Sequence, residues 1–431
     1  MTVAGCSVEN PVDARALRIL VISPFPPRLD GLHGGSRAVA GLLAQLSVRH
    51  RVALLALRSA GEPGVDDVLR EKCELVDEID IRPVGASYAD RLAHRLRLRG
   101  ALLRGTPTQV AERTSPTFAR RLHDLAASWQ PDVVQFELRV MGQFLPALSD
   151  CPAPRVLVDH DPAAADGAMS GGVFAFLERR AWDALARQVA QRVDSIVVFT
   201  DRDRATVAGL SAVTPVVRIP LALEVHGPAL DPVGTRREIL YIGSFIHPPN
   251  MDAVRRLALE IFPRVKTQVP DATLRLVGSY PPPSVFELGG QGVIVAGEVP
   301  DVRPYLDAAA VVAAPIRTGG GMRVKVLEAL AGGKAMVASS LAIDGLDLKD
   351  GEHVIVADTD AGFADAIVGL LVDVERRGTI ARAARQWAED NADGDARLHA
   401  YDALYSSLIA ARESRSRLFV GSPSLADRLE T

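Results

Sequence analysis

Through most of its length the chain alternates short, unbroken apolar runs with longer segments whose apolar residues recur every three or four positions. The runs at 19–22, 51–57, 132–136, 155–158 and 195–199 predict parallel strands covered on both faces, since a strand wet on one face would alternate apolar with polar residues. Helical spacing fills the gaps. Val39, Leu42, Leu43 and Leu46 mark one face of a helix over 36–46, and Leu177, Ala181, Leu185 and Val189 one face of a longer helix over 174–193. Residues 116–128 predict a further helix, 68–82 a helix followed by a strand, and Thr200 a helix cap.

The alternation then repeats. Runs at 239–242, 273–277, 293–296, 308–314, 335–338 and 353–356 predict a second set of strands, with helices over 252–267, from 322, and over 364–371, 379–389 and 395–411. Strand and helix in turn are the pattern of a parallel, doubly wound α/β sheet. Between the sets, a strand within 214–221 gives way to the Pro- and Gly-rich stretch 227–237, the predicted boundary between domains. The expected organisation is a loose leader over 1–16, one domain over 17–226, a second over 238–394, a last helix over 395–411 and a polar tail over 412–431.

Length agrees with this division, because 431 residues are long for one core and suit two of about 200 residues each. The net charge of −4 offers no general attraction to nucleic acid. Cys6, Cys73 and Cys151 form no Cys-x-x-Cys pair, which predicts neither a disulfide framework nor a zinc site and fits a reducing compartment. No secretion signal or run of about 18 apolar residues is present, so a cytoplasmic protein is expected. Asp-x-Asp strings at Asp159/Asp161, Asp201/Asp203, Asp358/Asp360 and Asp393/Asp395 tempt a metal reading, but hard cations need more oxygens than two, and no metal is assigned.

The candidate chemistry gathers in 313–333. Gly319, Gly320 and Gly321 leave backbone N–H groups uncovered, and the helix starting at Met322 adds its positive end, so an anion would be cradled there. Val324, Leu327 and Ala331 should pack inward, leaving Lys325 and Glu328 one turn apart on another face. A cation beside a carboxylate suits the diphosphate and the vicinal hydroxyls of a nucleotide-sugar. A tight turn with a solvated Lys–Glu pair uses the same spacing, and spacing alone leaves both readings open. The glycines match neither a Walker loop nor the spaced fingerprint of a nicotinamide dehydrogenase. Gly34 and Gly35 make a second glycine turn, before the first helix. Residues 89–104, with Arg91, Arg95, Arg97, Arg99 and Arg104 among leucines, suit an anionic membrane surface or a phosphorylated acceptor, and equally a solvent-facing helix.

The string from Pro315 to Ser339, with Gly319–Gly321, Lys325 and Glu328-Ala329, resembles the donor-site signature of retaining glycosyltransferases of the two-Rossmann-domain (GT-B) type, group 1, also called family 4. The resemblance extends to Tyr241–Phe245, Pro249–Asp252, Gly297–Asp301 and Ile343–Leu346, and more loosely to Ile19–Pro24 with Gly34-Gly35. It implies an α/β fold of two Rossmann-like domains with an interdomain cleft, and a last helix crossing back to the first domain. It implies a donor site of Gly243, Ser244, Val299, Arg317, Gly319, Gly320, Gly321, Met322, Arg323, Lys325 and Glu328. Gly34 and Gly35 would line the cleft opposite, and Glu137 or His160, after strands of the first domain, would be the catalytic candidates. One departure stands out: the family often carries a second glutamate eight residues before the first, and Gly320 occupies that position here, which leaves the sugar undefined.

The implied activity is transfer of a sugar from a nucleoside diphosphate sugar, as co-substrate and without further cofactor, to an acceptor that is a glycan, a lipid-linked group or a small molecule. Retention at the anomeric carbon comes with the resemblance. A sugar-nucleotide epimerase or phosphorylase of the same fold, and a catalytically inactive carbohydrate-binding protein, are the competing expectations.

Overall fold

The computed structural model describes residues 15–31, 34–81, 87–162, 172–221, 228–234, 236–319, 324–391 and 394–420, with side chains through residue 414. Most of the expected leader and the end of the expected tail lie outside these residues.

The first apolar runs become seven strands: β1 (Arg18–Ser23), β2 (Arg51–Arg58), β3 (Leu75–Asp80), β4 (Val133–Glu137), β5 (Arg155–Val158), β6 (Ser195–Val198) and β7 (Val216–Arg218). All pair in parallel, in the order β3-β2-β1-β4-β5-β6-β7. Ile19, Leu20, Val21 and Ile22 are wholly buried, which is why β1 reads as a continuous apolar run. The helices of this half are α1 (Gly34–Arg49), α2 (Asp67–Lys72), α3 (Tyr88–Leu103), α4 (Thr108–Glu112), α5 (Pro116–Trp129), α6 (Val173–Ala190) and α7 (Asp201–Ala208). Thr200 caps α7 by accepting the Asp203 N–H at 3.0 Å. Strands β1 and β4 are neighbours where the order reverses, so the loops at their carboxyl ends open on a common crevice.

The second half repeats the plan with β8 (Glu238–Ile242), β9 (Thr273–Val277), β10 (Val293–Gly297), β11 (Val311–Ala314), β12 (Met336–Ala338) and β13 (Ile355–Val356). Their order is β10-β9-β8-β11-β12-β13, again parallel. The reversal falls between β8 and β11, the strands that carry Gly243 and the loop 315–319 at their carboxyl ends. Its helices are α8 (Pro248–Arg256), α9 (Phe262–Gln268), α10 (Pro283–Phe286), α11 (Arg303–Ala308), α12 (Val324–Ala331), α13 (Asp360–Val372), α14 (Val374–Asn391) and α15 (Gly394–Val420). A π-helical turn, Leu257–Ile261, joins α8 to α9.

The connection between the sheets is fastened to the second. Lys334, wholly buried, donates its ammonium to the carbonyls of Asp231, at 2.5 Å, and Asp307, at 3.1 Å. Burial pushes its pKa down to about 8, against partial support from Asp231 and Asp307. Helix α15 then returns to the first sheet. Its Leu398, Tyr401, Leu404 and Tyr405 pack among Ile19, Val39, Leu43 and Val156. Asp402 accepts from Arg49 at 3.1 Å and lies 2.7 Å from His50 Nε2. Arg412 reaches Asp194 at 3.2 Å, so the helix runs on through part of the segment expected as a tail.

Candidate active site

The carboxyl ends of β8 and β9 meet so closely that a Cβ on Gly278 would lie 1.7 Å from the Gly243 carbonyl oxygen, a separation that only glycine avoids. Each glycine precedes a serine, Ser244 and Ser279, whose buried hydroxyl oxygens meet no partner. Beside them runs the loop after β11. Ser339 Oγ donates to the Ile316 carbonyl and Arg256 Nη1 to that of Pro315 at 3.2 Å, holding this loop from beneath. Gly319 has a φ of 91°, and a Cβ there would stand 2.6 Å from Pro249 Cγ. Gly320, Gly321, Met322 and Arg323 lie outside the described residues.

Helix α12 buries Val324, Val326 and Leu327, while Ala331, expected inside, is half-buried. Lys325 Nζ donates to Asn250 Oδ1 at 2.6 Å and to the Tyr241 hydroxyl at 3.3 Å, and it stands 4.8 Å from the centre of the Tyr241 ring. A Cβ on Gly243 would be 2.9 Å from this ammonium, which therefore sits directly over the glycine turn. Burial drives the Tyr241 phenol well above its ordinary pKa. Burial, and then the charge of Lys325, holds the His247 imidazole below its usual value.

Glu328, one turn on, faces the other domain. Its Oε1 accepts Arg37 Nε at 2.6 Å and Nη2 at 2.5 Å, while Arg37 Nη1 donates to the Gly31 carbonyl at 2.5 Å. Glu328 Oε2 is buried without a hydrogen-bond partner. The two domains touch here through Gly34, where a Cβ would lie 2.8 Å from Val324 Cβ. Gly35 follows in the first turn of α1, half-buried. A second bridge lies alongside: Arg202 of α7 pairs with Asp344 at 3.1 Å and donates to the Gly319 carbonyl at 3.4 Å. Lys325, Glu328, Gly243, Ser244, Gly319 and Gly34 thus gather where the two domains meet.

Other expected residues stand apart from this cluster. Arg317 is exposed and forked onto Asp252, with Nε at 2.7 Å and Nη2 at 2.8 Å, and that pair raises its pKa. Val299 packs half-buried against the second core, in the loop after β10. Glu137 was expected in a loop, but it is the last residue of β4 and only 1% exposed, and His160 is only 4% exposed. They lie 2.6 Å apart, with Gln135 Nε2 donating to the other carboxylate oxygen at 2.5 Å and the Tyr405 hydroxyl donating to Gln135 Oε1 at 2.5 Å. The cavity they share with Val39, Leu42 and Tyr401 holds about 10 Å³, too small for a sugar ring. Within the Asp-x-Asp strings, Asp159 pairs with Arg139, Asp358 accepts from Ser340 at 2.6 Å and Asp360 pairs with Arg256 at 2.6 Å. Asp393 lies outside the described residues.

Sequence reasoning did not find Arg37, Tyr241, Arg202, Ser279 or the Tyr405–Gln135 link. A signal for Ser279 was present, because Gly243-Ser244 and Gly278-Ser279 end successive strands in the same way. Among the described residues no helix is long and apolar enough to cross a membrane. Helix α3 does leave Tyr88, Leu92, Leu96 and Leu103 exposed, next to Val173, Phe174 and Phe176 at the start of α6, with Arg99 5.4 Å above the Phe174 ring.

Two parallel Rossmann-like sheets meeting across a groove at their switch points are the GT-B architecture. The fold matches sucrose-phosphate synthase from Thermosynechococcus elongatus, with a TM-score of 0.68 and 17% identity over 92% of this chain and 100% of that one. It also matches Anabaena HepE in complex with UDP and glucose, with a TM-score of 0.65 and 14% identity over 91% of this chain and 100% of that one. Residues 236–373 match the family described as Glycosyl transferases group 1. The phosphatidyl-myo-inositol mannosyltransferase of Mycolicibacterium smegmatis (strain ATCC 700084 / mc(2)155) is 30% identical over 201 residues, 43% of this chain and 48% of that protein. An uncharacterized 44.6 kDa protein in the cps region of Klebsiella pneumoniae is 20% identical over 164 residues, 36% of this chain and 42% of that protein. The chain spans less than half the length of either of these curated relatives.

Proposed function

We propose that this chain transfers a sugar from a nucleoside diphosphate sugar to an acceptor held by the first domain, with retention of anomeric configuration and no metal. One observation carries the reading: on a single turn of α12, Lys325 stands over the Gly243 bend while Glu328 faces the opposite domain. In this reading the diphosphate lies beside Lys325, between the Gly243 bend and Gly319, and the ribose hydroxyls take Glu328. Ser244 and Ser279 offer hydroxyls from the strand ends, and the loop of Val299 borders the base. As the glycosidic bond breaks, charge grows on the leaving diphosphate, where Lys325, held by Asn250 and Tyr241, is fixed in advance to meet it. Arg317, held by Asp252, would steer rather than ligate. Glu137 and His160 would act from beneath α1 as a buried pair bracing the acceptor side.

Complexes of relatives with UDP and glucose favour a uridine nucleotide as the first donor to try. The exposed apolar and arginine-rich surface of α3 and α6 favours an acceptor presented at an anionic membrane surface. Thermal-shift screening of nucleotide-sugars, followed by transfer assays with Glu328→Ala, tests the assignment. A donor that stabilises the protein, and a loss of about 2–3 kcal/mol in binding or turnover in the variant, are expected. Undiminished transfer by Glu328→Ala would remove Glu328 from the site. Interconversion of the donor without acceptor would point to an epimerase, and binding with neither transfer nor hydrolysis to a binding protein.

A further inference from the structure

We propose that Arg37, on the first domain, is a ligand for the donor's diphosphate that rests on Glu328 until the donor arrives. The inference builds on the donor site proposed above and adds a residue from the opposite domain.

Arg37 projects from the first turns of α1, where Gly34 lies against Val324, so its guanidinium enters the groove beside the start of α12. Two of its nitrogens go to a single carboxylate oxygen, Glu328 Oε1, and a third to the Gly31 carbonyl. A guanidinium fork matched to a carboxylate would span both oxygens. Here Oε2 is left buried with no partner, a costly arrangement unless a hydroxyl is to fill it. Glu328 can accept from vicinal hydroxyls only if it gives up some of its bonding to Arg37. The released cation then lies at the mouth of a groove already carrying Lys325, and the nearest anion is the diphosphate attached to that ribose. The partner exchange leaves the guanidinium paired with the diphosphate and the carboxylate hydrogen-bonded to the ribose hydroxyls. It also ties donor binding to the position of α1, and hence to the closeness of the two domains.

The test is calorimetry on the full chain with UDP, GDP, ADP and dTDP and their matched nucleosides, comparing wild type, Arg37→Ala and Arg37→Lys. For the diphosphate that wild type binds, Arg37→Ala should weaken affinity by about tenfold or more, as for a lost charge-assisted contact. Affinity for the matched nucleoside should hold or improve, since Glu328 loses its competitor. Arg37→Lys, which retains the charge without the fork, should recover part of the loss. Equal weakening of nucleoside and diphosphate would make Arg37 a mere clamp on Glu328 and overturn the proposal. So would affinities unchanged in Arg37→Ala, and in either case the donor site would stand. Wild type that binds none of the four diphosphates would overturn the donor site itself, and this proposal with it.

Discussion

Replacing Lys325 by Met keeps the length of the side chain and removes its charge. In the present structure the ammonium lies 2.6 Å from Asn250 Oδ1 and 4.8 Å from the centre of the Tyr241 ring, above the Gly243 turn. A diphosphate oxygen at hydrogen-bond distance from that ammonium would gain about 1.5–3 kcal/mol from the charge-assisted contact, roughly 10- to 150-fold in dissociation constant. The substitution carries its own control. His247 is held low first by burial and then by the Lys325 charge, so removing that charge should raise the His247 pKa while burial still keeps it below the ordinary value. Isothermal titration of the nucleoside diphosphate and an NMR titration of the His247 ring read the two effects on one sample. If His247 moves up while the dissociation constant stays at the wild-type value, Lys325 does not meet the phosphates and the anion-cradle reasoning is refuted.

Tyr405→Phe removes the donor to Gln135 Oε1 in a wholly buried setting, and urea unfolding should show a loss of about 1–3 kcal/mol with nucleotide affinity unchanged; an unaltered midpoint would show that the link does not brace the fold. Burial pushes the Lys334 pKa down to about 8 from the ordinary 10.5, so between those pH values the unfolded chain holds a proton that the folded chain lacks. Its contribution to stability therefore rises with pH across that window, by at most about 3.4 kcal/mol, and the stability difference between wild type and Lys334→Met should follow it; a difference flat from pH 8 to 10.5 would contradict the burial of a charged ammonium. Wild type should co-sediment with vesicles containing anionic lipid and not with neutral ones, and Leu92→Ser with Leu96→Ser and Phe174→Ser should release it; equal sedimentation of both proteins would make this face an ordinary solvated surface.

Much of the fold was legible because strands buried on both faces leave unbroken apolar runs, and all six runs of the second half lie at or overlap strands β8 to β13. The placement of Lys325 and Glu328 on one turn of α12 was legible for a related reason. Glycines at a strand-to-helix turn, followed by Lys325 and Glu328 at helical spacing, carry their geometry in local sequence. Glu137 shows the limit. Its position after an apolar run suggested a loop, yet its carboxylate is sealed under α1 and α15 by Gln135 and His160, and burial of that kind depends on segments remote in sequence.

Periodicity, glycine placement and the spacing of charges on one helix are properties of neighbouring residues, so the chain alone determined two α/β units and the helical turn that carries Lys325 and Glu328. Which charges meet was decided only by packing. Arg37 and Glu328 are 291 positions apart, as are Tyr405 and Gln135 by 270, and no local pattern encodes either contact. Those pairs exist because two sheets and a returning helix bring distant side chains within a few ångströms, where a single ion pair or hydrogen bond can form between them.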